Sequence, residues 1–194
     1  MENTIDAETA LTNVQQEAAL KAHVSQLALA SISPKTQSLL LCMFADPYIL
    51  EKEQCAELVV ELRQCVEKYP QVSELRVLLG MALCVNFDVQ AAIEELNESV
   101  NLAPNSFIAQ LKLGELWMRL RVITKAEEHT RLAALLAQNF AQSELARKQA
   151  ASIRTMKREG IERGGYKSPW NFFARPLRRL WTHNTEATVG LDVS

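Results

Sequence analysis

Few residues in this chain are of the kinds that interrupt helices. Gly and Pro number six each in 194 residues, aromatic residues make up 6%, and Ala, Leu, Glu and Gln, all good helix formers, predominate. Hydrophobic residues make up 48% and charged residues 23%, ordinary globular values that exclude wholesale disorder. The composition therefore predicts an all-α protein.

The sequence also lacks the motifs that mark common active sites. The four cysteines form no C-x-x-C pair and the three histidines lie far apart, so no metal site is predicted. No nucleophile elbow and no phosphate-binding glycine-rich loop is present. The pairs Glu94-Glu95 and Glu127-Glu128 are expected on solvated helix faces rather than as catalytic carboxylates. We expect neither enzymatic activity nor a cofactor.

Long apolar runs are missing as well. No segment approaches the roughly 18 apolar residues of a membrane-spanning helix, and the acidic N-terminus has no apolar core of a secretory signal. The cysteines are interpreted as small apolar side chains in a reducing compartment. The expected compartment is the cytoplasm.

The small net charge of −2 hides an uneven distribution along the chain. Residues 1–143 hold 11 Lys and Arg against 18 Asp and Glu, whereas residues 144–183 hold 10 against 3. An acidic body with a basic C-terminal extension often indicates an interaction tail. Nucleic acid is not an expected partner, because the acidic body would repel phosphates.

Apolar residues recur at three- and four-residue steps along most of the chain, which predicts a series of amphipathic helices. The predicted helices span residues 13–32, 35–45, 51–69, 73–86, 89–102, 107–120, 125–138 and 142–159. The helix at 35–45 is apolar almost all round, so we expect other helices on both of its sides. Thr124 is expected to cap the helix that follows it, with Glu127 completing a capping box.

One pattern repeats at a step of 34 residues, which is typical of stacked helical hairpins. The step links Gly80 with Gly114, Ala92 with Ala126, and Pro70 with Pro104. The small residues at the glycine and alanine positions allow the two helices of a hairpin to approach closely.

The repeat resembles the tetratricopeptide repeat (TPR) family. The matching positions are Leu79, Gly80, Leu83, Ala92, Leu96, Ser99 and Pro104 in one repeat, and Leu113, Gly114, Trp117, Ala126, Thr130 and Ala133 in the next. The family's leading large residue is replaced by Arg76 and Gln110. The resemblance implies a short right-handed TPR-like helical-hairpin solenoid with an N-terminal helix and a C-terminal capping helix.

The expected organisation has three parts. A flexible lead-in (1–12) precedes the TPR-like domain (13–160), and a basic aromatic tail (161–194) follows it. Within the domain, clear repeats cover 73–106 and 107–140, a degenerate repeat covers about 35–72, and the capping helix covers about 142–159.

TPR arrays bind peptide segments along a concave surface formed by the first helix of each hairpin, so the resemblance implies such a groove here. We expect its side chains to be Val77, Leu78, Met81, Ile108, Leu111, Lys112, Glu115, Met118 and Arg119. Glu74, Cys84 and Val85 belong to the same wider surface. Val77 and Met81 stand where one TPR subclass has a Lys/Asn clamp for C-terminal carboxylates, so that clamp is not expected.

The tail between residues 166 and 181 interleaves aromatic and basic residues. Those expected to interact are Trp170, Phe172, Phe173, Arg175, Arg178, Arg179 and Trp181. They could fold back onto the domain, dock a partner protein, or lie on an anionic membrane surface.

The sequence thus predicts a protein–protein interaction scaffold or adaptor that binds apolar or amphipathic segments. In layout the chain also resembles the class II chaperones of type III secretion, which implies a small secretion-type chaperone as an alternative. A membrane-surface scaffold attached through the tail is a second alternative. Self-association into a homo-oligomer is a further expectation.

Overall fold

The computed structural model describes residues 15–16, 19–46 and 49–160, and all regular secondary structure in these ranges is α-helical. The helices are α1 (Ala19–Ala30), α2 (Pro34–Ala45), α3 (Lys52–Lys68), α4 (Ser73–Val85), α5 (Val89–Leu102), α6 (Phe107–Arg119), α7 (Ile123–Leu136) and α8 (Phe140–Arg158). The predicted all-α class is confirmed.

Side-chain caps explain where several helices begin. In four cases the side chain of the residue before the helix accepts a hydrogen bond from a backbone N–H of the first turn. These residues are Ser33 before α2, Asp88 before α5, Ser106 before α6 and Asn139 before α8. The expected cap at Thr124 is wrong, because α7 already begins at Ile123 after Val122. The turn that ends α6 leads directly into α7 and leaves Thr124 inside the helix.

The chain folds into antiparallel hairpins, α4 with α5 and α6 with α7, and α8 packs on the second hairpin. Gly80 explains the close approach of α4 and α5, since a Cβ atom there would lie 2.6 Å from Cγ of Leu96 and 3.5 Å from the carbonyl oxygen of Ala92. Gly114 plays the same part in the second hairpin, where a Cβ atom would lie 3.2 Å from the backbone nitrogen of Thr130. The α2–α3 pair is less closely packed.

Arg76 and Gln110, which depart from the family pattern, make equivalent polar contacts one repeat apart. Each donates to the carbonyl of the preceding proline, Arg76 Nε to Pro70 at 3.1 Å and Gln110 Nε2 to Pro104 at 2.9 Å. Each also bonds the second helix of its hairpin, Arg76 to Glu95 at 2.8 Å and Gln110 to His129 at 2.8 Å. Polar side chains here fix the loop before each hairpin to the hairpin itself.

Both hairpin turns contain a residue other than glycine in the left-handed region, Phe87 (φ 64°) and Arg121 (φ 60°). The backbone bonds are those of a Schellman motif, from Asp88 N–H to the Leu83 carbonyl (2.9 Å) and from Val122 N–H to the Trp117 carbonyl (3.0 Å). This conformation costs an L-residue about 1–2 kcal/mol, so both turns are strained.

Replacing Phe87 with glycine is therefore expected to stabilise the protein by roughly 1 kcal/mol. The side chain is 85% exposed, so little packing is lost with it. Thermal unfolding followed by circular dichroism should show a higher midpoint for Phe87→Gly. Glu94→Gly, at an exposed position inside α5, should lower it. A lower midpoint for Phe87→Gly would contradict the strained-turn interpretation.

Helix α2 is not covered on both sides, so this expectation from its composition is wrong. Its buried residues are Thr36, Leu39, Leu40 and Met43, whereas Leu41 is 69% and Phe44 53% exposed. The cause is position: α2 lies beside α3 near one end of the described helix stack.

No single helix in the described ranges has the length and apolar content to cross a membrane. Helices α1 and α2 meet that criterion only as a pair, and the pair is bent by 96°.

Candidate binding groove

A concavity lies where the helices α2, α4 and α6 come together. Its volume is about 210 Å³, several times the ~30 Å³ that one water molecule occupies in the liquid. The lining side chains are Met43, Phe44, Met81, Cys84, Val85, Leu96, Lys112, Glu115, Leu116 and Arg119. We call this concavity the groove pocket. Seven of its ten lining residues are apolar, and the three charged residues are grouped on α6.

The charged residues of the groove pocket form one connected ion cluster. Glu115 accepts from Lys112 Nζ at 2.9 Å through one carboxylate oxygen and from Arg119 Nη2 at 2.7 Å through the other. Burial alone would raise the pKa of the Glu115 carboxyl, but the two cations outweigh burial and hold that pKa below its usual value. Glu115 is therefore ionised near neutral pH, and the cluster carries one net positive charge.

Cys84 contributes apolar wall rather than a reactive thiolate. Burial raises the pKa of its thiol to about 11; the charge of Arg119 acts in the opposite direction but does not overcome burial. The neutral thiol behaves as a small hydrophobic group. Together with Met81 and Val85 it makes the α4 side of the groove pocket apolar.

Of the nine residues expected in the groove, the structure brings four together in the groove pocket: Met81, Lys112, Glu115 and Arg119. Leu78 is partly buried against the main core, and Ile108 is 38% exposed outside the pocket.

Of the other three expected residues, two are buried and Met118 is partly buried, and all three lie outside the pocket. Val77 and Leu111 are only 3% and 5% exposed, so they offer almost no side-chain surface to a partner. Val77 belongs to the main core, and Leu111 packs with Ala133 and Ala146. Met118 packs against the cluster of Ile123, Ala126 and Ile153 on the α7–α8 side.

The structure adds residues that were not among the nine, above all Met43 and Phe44 of α2. A signal for them existed, because α2 begins the degenerate repeat predicted over about 35–72, and the first helix of each repeat was expected to face the groove. Cys84 and Val85 were placed on the wider surface by the same argument, and both line the pocket.

The tail residues predicted to interact, between Trp170 and Trp181, lie outside the described residues, as does the lead-in at 1–12. Across the ranges that are described, no group of three or more His, Cys, Asp or Glu side chains could hold a metal ion.

Solved structures with a similar fold include TPR domains in complexes and a type III secretion complex. The yeast Sti1 TPR2B domain in a complex with pHsp70 has a TM-score of 0.52 and 14% identity, and the match covers 64% of this chain and 99% of that one. A type III secretion complex from Aeromonas hydrophila has a TM-score of 0.51 and 16% identity, and the match covers 70% of this chain and 89% of that one. The Sti1 TPR2AB domains in a complex with pHsp90 have a TM-score of 0.51 and 15% identity, and the match covers 75% of this chain and 55% of that one.

No protein-family model matches the sequence, and no curated protein matches it significantly. At identities this low, the structural likeness concerns the fold alone. It agrees with the 34-residue period, with the glycines at the hairpin crossings and with the two Schellman turns. The chain therefore has the TPR-like fold, an all-α solenoid of stacked helical hairpins.

Proposed function

We propose that this protein is an interaction scaffold whose groove pocket binds an apolar or amphipathic segment of a partner protein. The observation that carries the proposal is the concavity between α2, α4 and α6, in which seven of the ten lining residues, Met43 and Met81 among them, are apolar. Two neighbours in fold support it, because they are TPR domains in complexes with pHsp70 and pHsp90.

The chemistry of the wall indicates the kind of segment that fits. Methionine side chains are flexible and polarizable, so they adapt to apolar ligands of different shape. Phe44 is 53% exposed at the pocket and supplies an aromatic contact at small entropic cost. Val77 is buried and Met81 is apolar, which gives a terminal carboxylate no Lys or Asn clamp at these places. An internal apolar side chain is the better ligand.

A second candidate function is that of a small secretion-type chaperone, which would use the same groove pocket. The fold likeness to the type III secretion complex supports it. The two functions differ in the partner, not in the site. Binding to a membrane surface through 166–181 and self-association are separate proposals to which the described residues add no support.

Met81→Glu tests the proposed function. The added carboxylate would lie in the apolar wall, so a partner's apolar side chain would have to desolvate it, and affinity should fall about 100-fold. Peptides are first selected from a phage-displayed library of random 16-residue sequences on the full-length wild-type protein. Their dissociation constants are then measured by fluorescence anisotropy. Met118 is left unchanged because it packs against the cluster of Ile123, Ala126 and Ile153 and does not line the pocket.

The matched control is Leu135→Glu, which adds the same charge at an exposed apolar residue of α7 outside the pocket. This variant should keep wild-type affinity, and both variants should keep wild-type helicity. Selected peptides that bind Met81→Glu as tightly as wild type would overturn the proposal and move the binding site elsewhere.

A further inference from the structure

We propose that the groove pocket selects segments in which the apolar anchor is flanked by an aspartate or glutamate, and that Arg119 binds this carboxylate. The inference rests on the proposed function and specifies its ligand class. It comes from the ion cluster on α6 rather than from the shape of the concavity.

The ion cluster leaves no place for a partner's cation. Both carboxylate oxygens of Glu115 already accept a charged donor, one from Lys112 and one from Arg119. Because two cations face a single anion, a lysine or arginine on the partner would meet net repulsion here. A carboxylate would instead neutralise the cluster.

Arg119 is the cation of the cluster that a partner can reach. Its side chain is 57% exposed, whereas those of Lys112 and Glu115 are 24% and 26% exposed. A guanidinium has five N–H donors, and within the described residues only the bond from Nη2 to Glu115 is recorded. The rest of the fork suits a second carboxylate, which arginine binds in bidentate geometry.

The anchor and the carboxylate would bind next to each other. Arg119 lines the same concavity as Met81, Val85 and Leu116, so a side chain in the apolar part lies beside the guanidinium. Apolar walls lower the local dielectric and strengthen a charge pair relative to one in open solvent. We therefore place the acidic residue within two positions of the anchor.

The positive charge is local and not a property of the whole body, in which acidic residues outnumber basic ones over 1–143. The cluster at the C-terminal end of α6 is therefore the place at which a ligand's carboxylate would be attracted.

Swapping the charged residues between the protein and a selected peptide tests this inference. Peptides are selected on the wild-type protein as described for the proposed function. In each peptide that binds Met81→Glu more weakly, Asp or Glu should stand within two positions of the apolar anchor residue. Replacing that acid by Gln, or Arg119 by Gln, should weaken binding roughly three- to tenfold. Arg119→Glu should weaken it further, and a Lys in place of the peptide's acid should restore affinity for that variant.

Arg131→Glu, a reversal at an exposed arginine of α7, is the matched control and should leave affinity unchanged. Circular dichroism melting shows whether each variant folds. This inference would be overturned, and the proposed function left intact, by either of two results. The first is that peptides whose binding depends on Met81 show no preference for Asp or Glu near the anchor. The second is that a Lys in the peptide does not restore affinity for Arg119→Glu. A library yielding no Met81-dependent peptide would overturn both.

Discussion

Gly80→Ala is expected to destabilise the protein by about 1–3 kcal/mol, although alanine is the better helix former. The added methyl would lie 2.6 Å from Cγ and 3.0 Å from Cδ2 of Leu96, far inside contact distance. Leu96 is 1% exposed and packs in the main core, although it also borders the groove pocket. Either the side chain leaves its rotamer or α4 and α5 move apart.

A double-mutant cycle with Leu96→Ala isolates this contact. Leu96→Ala alone should cost about 2–5 kcal/mol. In that background Gly80→Ala should be neutral or stabilising, since the methyl then enters vacated space. The free energies come from urea unfolding of all four proteins, with Asn97→Ala on the exposed face of α5 as the control expected near zero. Additive effects of the two substitutions would contradict the close crossing of α4 and α5.

Ile153→Asp is expected to destabilise the protein by about 3–5 kcal/mol, because it buries an unpaired charge. Ile153 is 1% exposed and packs with Ile123 and Ala126. The same helix is tied to the second hairpin by Gln149, whose Nε2 donates to the Leu111 carbonyl at 3.2 Å and to Thr130 at 2.8 Å. Helix α8 thus covers one side of the second hairpin.

The control for Ile153→Asp lies on the same helix. Leu145 is 51% exposed, so Leu145→Asp introduces the same side chain where water can solvate it, and its effect should stay below about 1 kcal/mol. Urea unfolding gives the free energy of unfolding of both variants and of the wild-type protein. Equal effects would mean that α8 does not cover the second hairpin.

The fold could be predicted from the sequence because its period is carried by residues under steric constraint. Gly80 and Gly114 stand where a Cβ atom would clash, so the contact itself explains the motif. Helix α5 spans Val89–Leu102 as its apolar pattern predicts. Thr124 was misassigned because cap chemistry was considered without the Schellman turn that starts α7 early.

The candidate site was harder to predict, because burial depends on which neighbour covers a residue. Val77 and Met81 are one turn apart on α4, yet Val77 belongs to the core and Met81 lines the groove pocket. Periodicity assigns both to one face and does not show how neighbouring helices cover it. Met43 and Phe44 were missed because the residue 34 positions before Gly80 is Asp46, which ends α2 instead of lying inside it, so the 34-residue step does not align α2 with α4 and α6.

Photo-crosslinking from Phe44 tests the central claim most directly, namely that a partner segment occupies the groove pocket. Benzoylphenylalanine replaces Phe44 in one variant and Leu135 in another; both positions are exposed, but only Phe44 lines the pocket. With a peptide selected on the wild-type protein, we expect crosslinking from position 44, its loss in Met81→Glu, and none from position 135. Equal crosslinking from both positions, or crosslinking from 135 alone, would contradict the account.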